Sequence, residues 1–474
     1  MSRSIWVLLL ASVVPSLCLA QAERLELGKR LRKFEAAWEA QRDATIRKQA
    51  IPELQKAVTA FFSFRLAEAG RALDEARFQV EQRAELSEAH RWAESLYLKL
   101  DRYFASTRGG PIPATLAEFY PTGLPKPQDV SARVSLVRAD GQTAASHSIA
   151  VQELPQKLVL AFPEAKAGDY QLVLEVIAKE RVLARSAWGL SLADDLDNRL
   201  SRLERPAGQA AENRTIESET LRALVSLLKG LASNRVPETD YPAARLLEEA
   251  EALAATTEPY YVASRPGQFW LSIPVEMGTS PVRLQVPPKL SRERPVPLVV
   301  ALHGAGGSEN LFFDGYGNGL VARLCQERGW LLVAPRVTGF AASSIQGIVA
   351  ALSERYPVDA RRVYLVGHSM GAGQALAAVT TSPQRYAAVA ALGGGNALRR
   401  TEGLQKVPFF IGVGDKDFAL RGARALYDSL QKAQVKQVEF REYPDIEHLV
   451  IVQVALPDVF AFFDRVPEAN PPGQ

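Results

Sequence analysis

Ser369, set in Gly367-His368-Ser369-Met370-Gly371, has the surroundings of a nucleophile. The run Arg362 to Val366 leads into it as a strand, and the small and apolar residues Ala372 to Val379 read as a helix beyond it. Strand, sharp turn and helix in that order hold a serine in a strained backbone that only small flanking residues permit. The pentapeptide alone says little: with Gly and Ser each near 7% of residues it arises by chance in about one chain in six of this length. A serine hydroxyl at neutral pH also needs a base within reach and a third group to orient that base.

Five histidines are available: His90, His147, His303, His368 and His448. His90 and His147 fall in N-terminal stretches that read as scaffold. His368 adjoins the serine, so its side chain leaves the turn in another direction, and His303 opens the loop after an earlier strand. His448, following the last strand in Tyr443-Pro444-Asp445-Ile446-Glu447-His448, is left as the base. The strand Phe409 to Val413 ends in Gly414-Asp415-Lys416-Asp417, which offers two carboxylates. Asp417 is favoured as the orienting acid for its spacing after Gly414, while Asp415 suits a turn cap. Acyl transfer further needs donors for a developing oxyanion, and the backbone N–H groups of Ala305, in His303-Gly304-Ala305-Gly306-Gly307, and of Met370 are the expected pair. Phe312, Phe313 and Tyr316 could line an acyl pocket or pack in a core, and are not assigned to the site. Glycine-rich loops also bind phosphate, but no dinucleotide fingerprint and no Gly-x-x-x-x-Gly-Lys occurs. Neither His-Glu-x-x-His nor a Cys and His cluster is present. No cofactor and no metal is expected.

The elements that must position these residues lie in 259–468. Short apolar runs, Pro297 to Leu302, Trp330 to Ala334, Arg362 to Val366, Tyr386 to Leu392, Pro408 to Val413 and Val438 to Tyr443, alternate with amphipathic helices. Such alternation predicts an α/β domain, a mostly parallel sheet with helices on both faces and its site beyond the carboxyl ends of the strands. Phe269 to Val275 and Val282 to Val286 are expected as an antiparallel edge. The rest divides into a signal peptide over 1–22, a helical segment over 23–110, a small β-sandwich-like module over 111–190 and a helical linker region over 191–258. Leu27, Leu31, Phe34 and Trp38 mark one helix face, whereas Tyr170, Leu172, Leu174 and Val176 alternate as in a strand. The entry Gly168-Asp169-Tyr170 is similar to the tyrosine corner of immunoglobulin-like sandwiches.

Fifty-six basic and 53 acidic residues leave a net charge of +3, and interleaved signs exclude a nucleic-acid footprint. Two cysteines, Cys18 and Cys325, exclude a disulfide framework, and Cys325 is expected as a buried thiol in a helix. Arg3, the apolar run Ile5 to Val14 and the small residues Ala20 and Ala22 read as a cleavable signal, so the mature chain is expected to be exported, periplasmic or secreted. No later run approaches the roughly 20 apolar residues of a membrane span.

Taken together, His303 to Gly307, Gly367 to Gly371, Asp417 and His448 resemble the α/β-hydrolase superfamily, over about 210 of the 474 residues. The order serine, acid, histidine is the one that superfamily uses. The stretches HGAGGSENLFF and VYLVGHSMGAG are most similar to secreted polyhydroxybutyrate depolymerases, to feruloyl-esterase-like and dienelactone-hydrolase-like enzymes, and to the prolyl-oligopeptidase-like branch. The resemblance implies a serine esterase whose partner is a small-molecule or polymer-attached ester. Only about 15 residues separate Leu392 from the next strand, which leaves no room for a large lid, and an N-terminal module is expected to shelter the site in part. The alternatives are a serine peptidase with the same triad and a surface-binding protein that keeps the fold without the activity. Oligomeric state is not legible.

Overall fold

The computed structural model describes residues 23–82, 87–209, 214–336 and 342–466. The signal-like segment, with Cys18, lies outside the described residues. The chain forms two compact units, one of residues 1–34, 56–211 and 221–256, the other of 35–55, 212–220 and 257–474.

The first unit carries eight strands: β1 (Leu96–Leu100), β2 (Phe104–Ser106), β3 (Ile112–Glu118), β4 (Val130–Arg138), β5 (Thr143–Ala150), β6 (Gln156–Leu160), β7 (Gly168–Ala178) and β8 (Arg181–Ala193). They form a three-stranded sheet, β1-β3-β6, and a five-stranded sheet, β2-β8-β7-β4-β5. Alternation does the burying: Tyr170, Leu172, Leu174 and Val176 on β7 and Val130, Ala132, Val134 and Leu136 on β4 all point into the core. The Tyr170 hydroxyl donates to the Lys166 carbonyl at 2.8 Å, the back-bond of a tyrosine corner. Strands begin at Leu96, inside the stretch expected to be helical. Leu96, Leu98 and Leu100 alternate inward, but a five-residue run gives period two little weight until β3 supplies its partner, Leu98 opposite Leu116. Helices Leu66–Val80 and Glu88–Glu94 carry buried charges in this unit, to which Leu196–Gln209 and Ala243–Ala255 also belong. Arg30 pairs with Asp74, Tyr120 donates to Asp74 at 2.8 Å, and Arg77 meets Glu94 at 2.8 Å, so each buried charge faces an opposite one.

The second unit is built on β9 (Gly267–Pro274), β10 (Thr279–Val286), β11 (Val296–Leu302), β12 (Leu331–Pro335), β13 (Val358–His368), β14 (Ala388–Leu392), β15 (Phe409–Gly414) and β16 (Val438–Tyr443). Their order is β16-β15-β14-β13-β11-β12-β10-β9. From β12 to β16 every neighbouring pair is parallel, and β9 and β10 add the expected antiparallel edge. Every residue of β12, β14 and β15 is buried, which requires cover on both faces of the sheet. The order reverses at β11, between β12 and β13, and Leu302 pairs with Gly367, so the loops leaving β11 and β13 emerge side by side.

The boundary expected at 259 leaves out two pieces of this unit. Residues 35–55 contribute buried Trp38, Ile51 and Leu54. Lys48 pairs with Asp445 at 3.0 Å, and Gln55 donates to the Lys416 carbonyl at 3.3 Å. Thr220 accepts the Ser272 amide at 3.0 Å, and Glu217 holds Arg355 at 2.9 Å. Among the described residues no helix is long and apolar enough to cross a membrane.

Candidate active site

Ser369 sits between β13 and the helix Met370–Thr381 with φ 54° and ψ −114°, a conformation a side chain adopts only when its surroundings impose it. Its amide donates to the Leu392 carbonyl at the end of β14, at 2.9 Å. The flanking glycines are obligatory for a steric reason. A Cβ on Gly367 would lie 2.2 Å from the Gly371 oxygen, and one on Gly371 would lie 2.0 Å from the Leu302 oxygen. Strand, turn and helix are thus in backbone contact, and the serine is thrust out at the strand ends.

The loop after β16 brings His448 back to the loop after β15. Its Nδ1–H donates to Asp417 Oδ1 at 2.9 Å, and Asp417 Oδ1 also accepts the Ala419 amide at 2.8 Å. Both side chains are buried, where such a charge-assisted bond is stronger than in water. With Nδ1 protonated, neutral His448 presents a bare Nε2, the state a base requires. Asp415 turns elsewhere: its carboxylate accepts from Lys416 at 3.1 Å, and its amide donates to the Tyr443 carbonyl at 3.0 Å. A Cβ on Gly414 would lie 2.0 Å from the Ile446 oxygen, so only glycine lets these two loops close together.

Of the expected oxyanion donors, Met370 is the first residue of its helix, so its N–H is among the four without an intrahelical acceptor. Ala305 lies in a turn closed by Gly307 N–H on the Gly304 carbonyl at 3.1 Å. A Cβ on Gly304 would lie 3.4 Å from Ser369 Cβ, which places this loop over the serine. Glu309 anchors the loop to Arg336 at 2.6 Å, and Asn310 accepts from Trp270 at 2.7 Å. His303 is buried and its Nδ1 meets the Gly304 carbonyl at 2.9 Å, so it shapes the loop. Burial holds its pKa below the ordinary histidine value.

Four neighbours were not assigned to the site from sequence. Tyr316, left between pocket and core, is buried with its hydroxyl 2.6 Å from His368 Nδ1. His368, set aside as a base, turns its Nε2 toward the His448 carbonyl at 3.1 Å. Burial, with His448 beside it, holds the His368 pKa well below the ordinary value. Phe418 is 61% exposed and its ring centroid lies 4.3 Å from that of His448. Glu447 is buried and accepts the Leu449 amide at 2.8 Å, and burial, with the Asp417 charge adding to it, pushes its carboxyl up to about 7. Between β14 and β15 only the short 3₁₀ turn Leu404–Lys406 intervenes.

A family model described as phospholipase/carboxylesterase matches residues 338–465. Among solved structures, an S-formylglutathione hydrolase from Staphylococcus aureus is 15% identical, covering 42% of this chain and 99% of its own, with a TM-score of 0.37. A feruloyl esterase module from Clostridium thermocellum is also 15% identical, covering 45% and 94%, with a TM-score of 0.37. A dienelactone hydrolase from Anabaena variabilis is 21% identical, covering 42% and 98%, with a TM-score of 0.35. No curated protein matches the chain. The strand order and the serine elbow of the second unit are those of an α/β-hydrolase fold, and its residues 338–465 are similar to the phospholipase/carboxylesterase family.

Proposed function

We propose that the protein is an exported serine carboxylesterase that works through an acyl-enzyme. The observation that carries this reading is the 2.9 Å bond from His448 to Asp417, brought by the fold to the same strand ends as the positive-φ serine. The family match to phospholipases and carboxylesterases supports the ester-hydrolase class.

In the first step His448 Nε2 takes the Ser369 proton as Oγ attacks the ester carbonyl carbon. The carbonyl electron pair moves onto oxygen, where the Ala305 and Met370 amides receive it. Collapse of the tetrahedral intermediate expels the alkoxide, which takes the proton from His448. Water, deprotonated by the same imidazole, then releases the acid and frees the serine. Asp417 stays ionised throughout, fixing the tautomer and stabilising the imidazolium.

The substrate class proposed is an ester with an aromatic or polymer-attached acid or alcohol. Phe418 supports it as an exposed aromatic surface beside His448, and the short β14–β15 connection supports it by leaving no inserted cap. Export rests on the N-terminal segment and is checked by sequencing the mature N-terminus, which should begin just after Ala20 or Ala22.

The test is hydrolysis of short-acyl, long-acyl, feruloyl and peptide substrates by the native protein and a folded Ser369→Ala variant. Ester turnover that the variant lacks is the expected result. Peptide cleavage without ester cleavage would make the protein a peptidase, and inactivity on every substrate would favour a binding role.

A further inference from the structure

We propose that Tyr316 and His368 are positioning residues that tie the oxyanion loop to the backbone of the catalytic base, a proposal that rests on the roles assigned above to Ser369 and His448.

Three hydrogen bonds run in one direction between the two loops. Gly304 N–H donates to the Tyr316 hydroxyl oxygen at 3.3 Å. Tyr316 O–H lies 2.6 Å from His368 Nδ1, and His368 Nε2 lies 3.1 Å from the His448 carbonyl oxygen. A carbonyl can only accept, so His368 carries its proton on Nε2. Its Nδ1 is then an acceptor, and the Tyr316 hydroxyl donates to it while receiving the Gly304 amide. Only this neutral tautomer satisfies both ends. Burial opposes the charged form of His368, in agreement with that assignment.

The backbone is bent to make the chain of bonds. Tyr316, Gly317, Asn318 and Gly319 all have positive φ, 49°, 77°, 54° and 72°, a left-handed turn ahead of the helix that follows. A bulky residue in that region is costly and persists where its surroundings impose it. Here two glycines relieve the turn and the tyrosine bears the cost, with its ring edge-on to His368 at 5.1 Å. The link spans the two groups whose separation matters most: Gly304 adjoins an oxyanion donor, and the His448 carbonyl belongs to the base itself. A shift of about 1 Å between such groups costs roughly a hundredfold in rate.

The experiment uses the full chain and its best ester from the panel, with Tyr316→Phe, with His368→Asn, which keeps an acceptor near Nδ1 and withdraws the donor to His448, and with both together. Each single change should lower kcat roughly tenfold to a hundredfold and leave KM within about twofold. The double variant should be no slower than the slower single one, because the residues act through one link. A merely structural role predicts a changed KM or multiplied effects. Either folded variant with native kcat, or a double variant with multiplied losses, overturns the proposal. Histidine ¹⁵N NMR of the native protein at neutral pH gives a check that needs no variant: His368 should be the neutral Nε2–H tautomer, and a protonated ring or the Nδ1–H tautomer overturns the link. Ser369→Ala separates the two levels. If it keeps turnover, the underlying assignment fails; if it is inactive while Tyr316→Phe matches native, only the link fails.

Discussion

Two carboxylates two positions apart fare differently at the residue scale. Asp417 holds His448 at 2.9 Å, and Asp415 is spent on Lys416 at 3.1 Å. Asp417→Asn should therefore lower kcat roughly ten-thousandfold with little change in KM, because the amide favours the wrong imidazole tautomer, whereas Asp415→Asn should stay within about threefold. Steady-state kinetics of the two variants check this. Glu447 makes a separate prediction for stability. Its carboxyl is raised to about 7 in the folded protein, so the folded state binds a proton more tightly than the unfolded chain. Stability is then fully present below the unfolded value and is lost as pH rises toward 7, by about 3 kcal/mol in all at 1.4 kcal/mol per unit. Glu447→Gln should flatten that slope in urea melts at pH 5 and pH 8; an unchanged slope would contradict the burial argument. Ser369, His448 and Asp417 were legible in the sequence as candidates because histidines are few and each residue follows a strand. Tyr316 was not, because no periodicity reports a left-handed turn. Its only signal was Tyr-Gly-Asn-Gly, which packs three residues tolerant of positive φ behind one that is not.

At the scale of elements, the site is a set of strand ends made close by glycine. The strand Val438–Tyr443, a half-buried edge, lies within the expected bounds, and the other strands shift by a few residues at most; continuous apolar runs mark the fully buried β12, β14 and β15 well. The closeness itself was hidden, because the reason for a glycine lies in what its missing Cβ would strike. Gly371→Ala places a methyl carbon 2.0 Å from the Leu302 oxygen, a backbone atom that cannot rotate away. It should cost about 2 to 3 kcal/mol and reduce activity beyond what unfolding explains. Calorimetry with kinetics on the folded fraction decides, and a native-like variant would contradict the packing described. Strand β1 was missed for the complementary reason: Leu96 to Leu100 is too short to announce itself without β3.

At the scale of the whole molecule, the second unit is assembled from three stretches of chain, which a linear division at 259 does not capture. Trp38, Ile51 and Leu54 are buried in it, and each such side chain contributes about 1.5 to 3 kcal/mol. Their sum is comparable with the 5 to 15 kcal/mol that holds an ordinary domain together. A chain shortened to 257–474 should therefore aggregate or melt far below the full protein, and a soluble shortened chain with native melting would contradict this. Hydrolysis through an acyl-enzyme requires that Ser369 become acylated. The most direct measurement is peptide mapping by mass spectrometry after reaction with a fluorophosphonate, which captures an activated serine at the step that forms the acyl-enzyme. A single adduct on Ser369, lost in the Ser369→Ala and His448→Ala variants, is expected. An adduct elsewhere, or ester hydrolysis that survives Ser369→Ala, would contradict it.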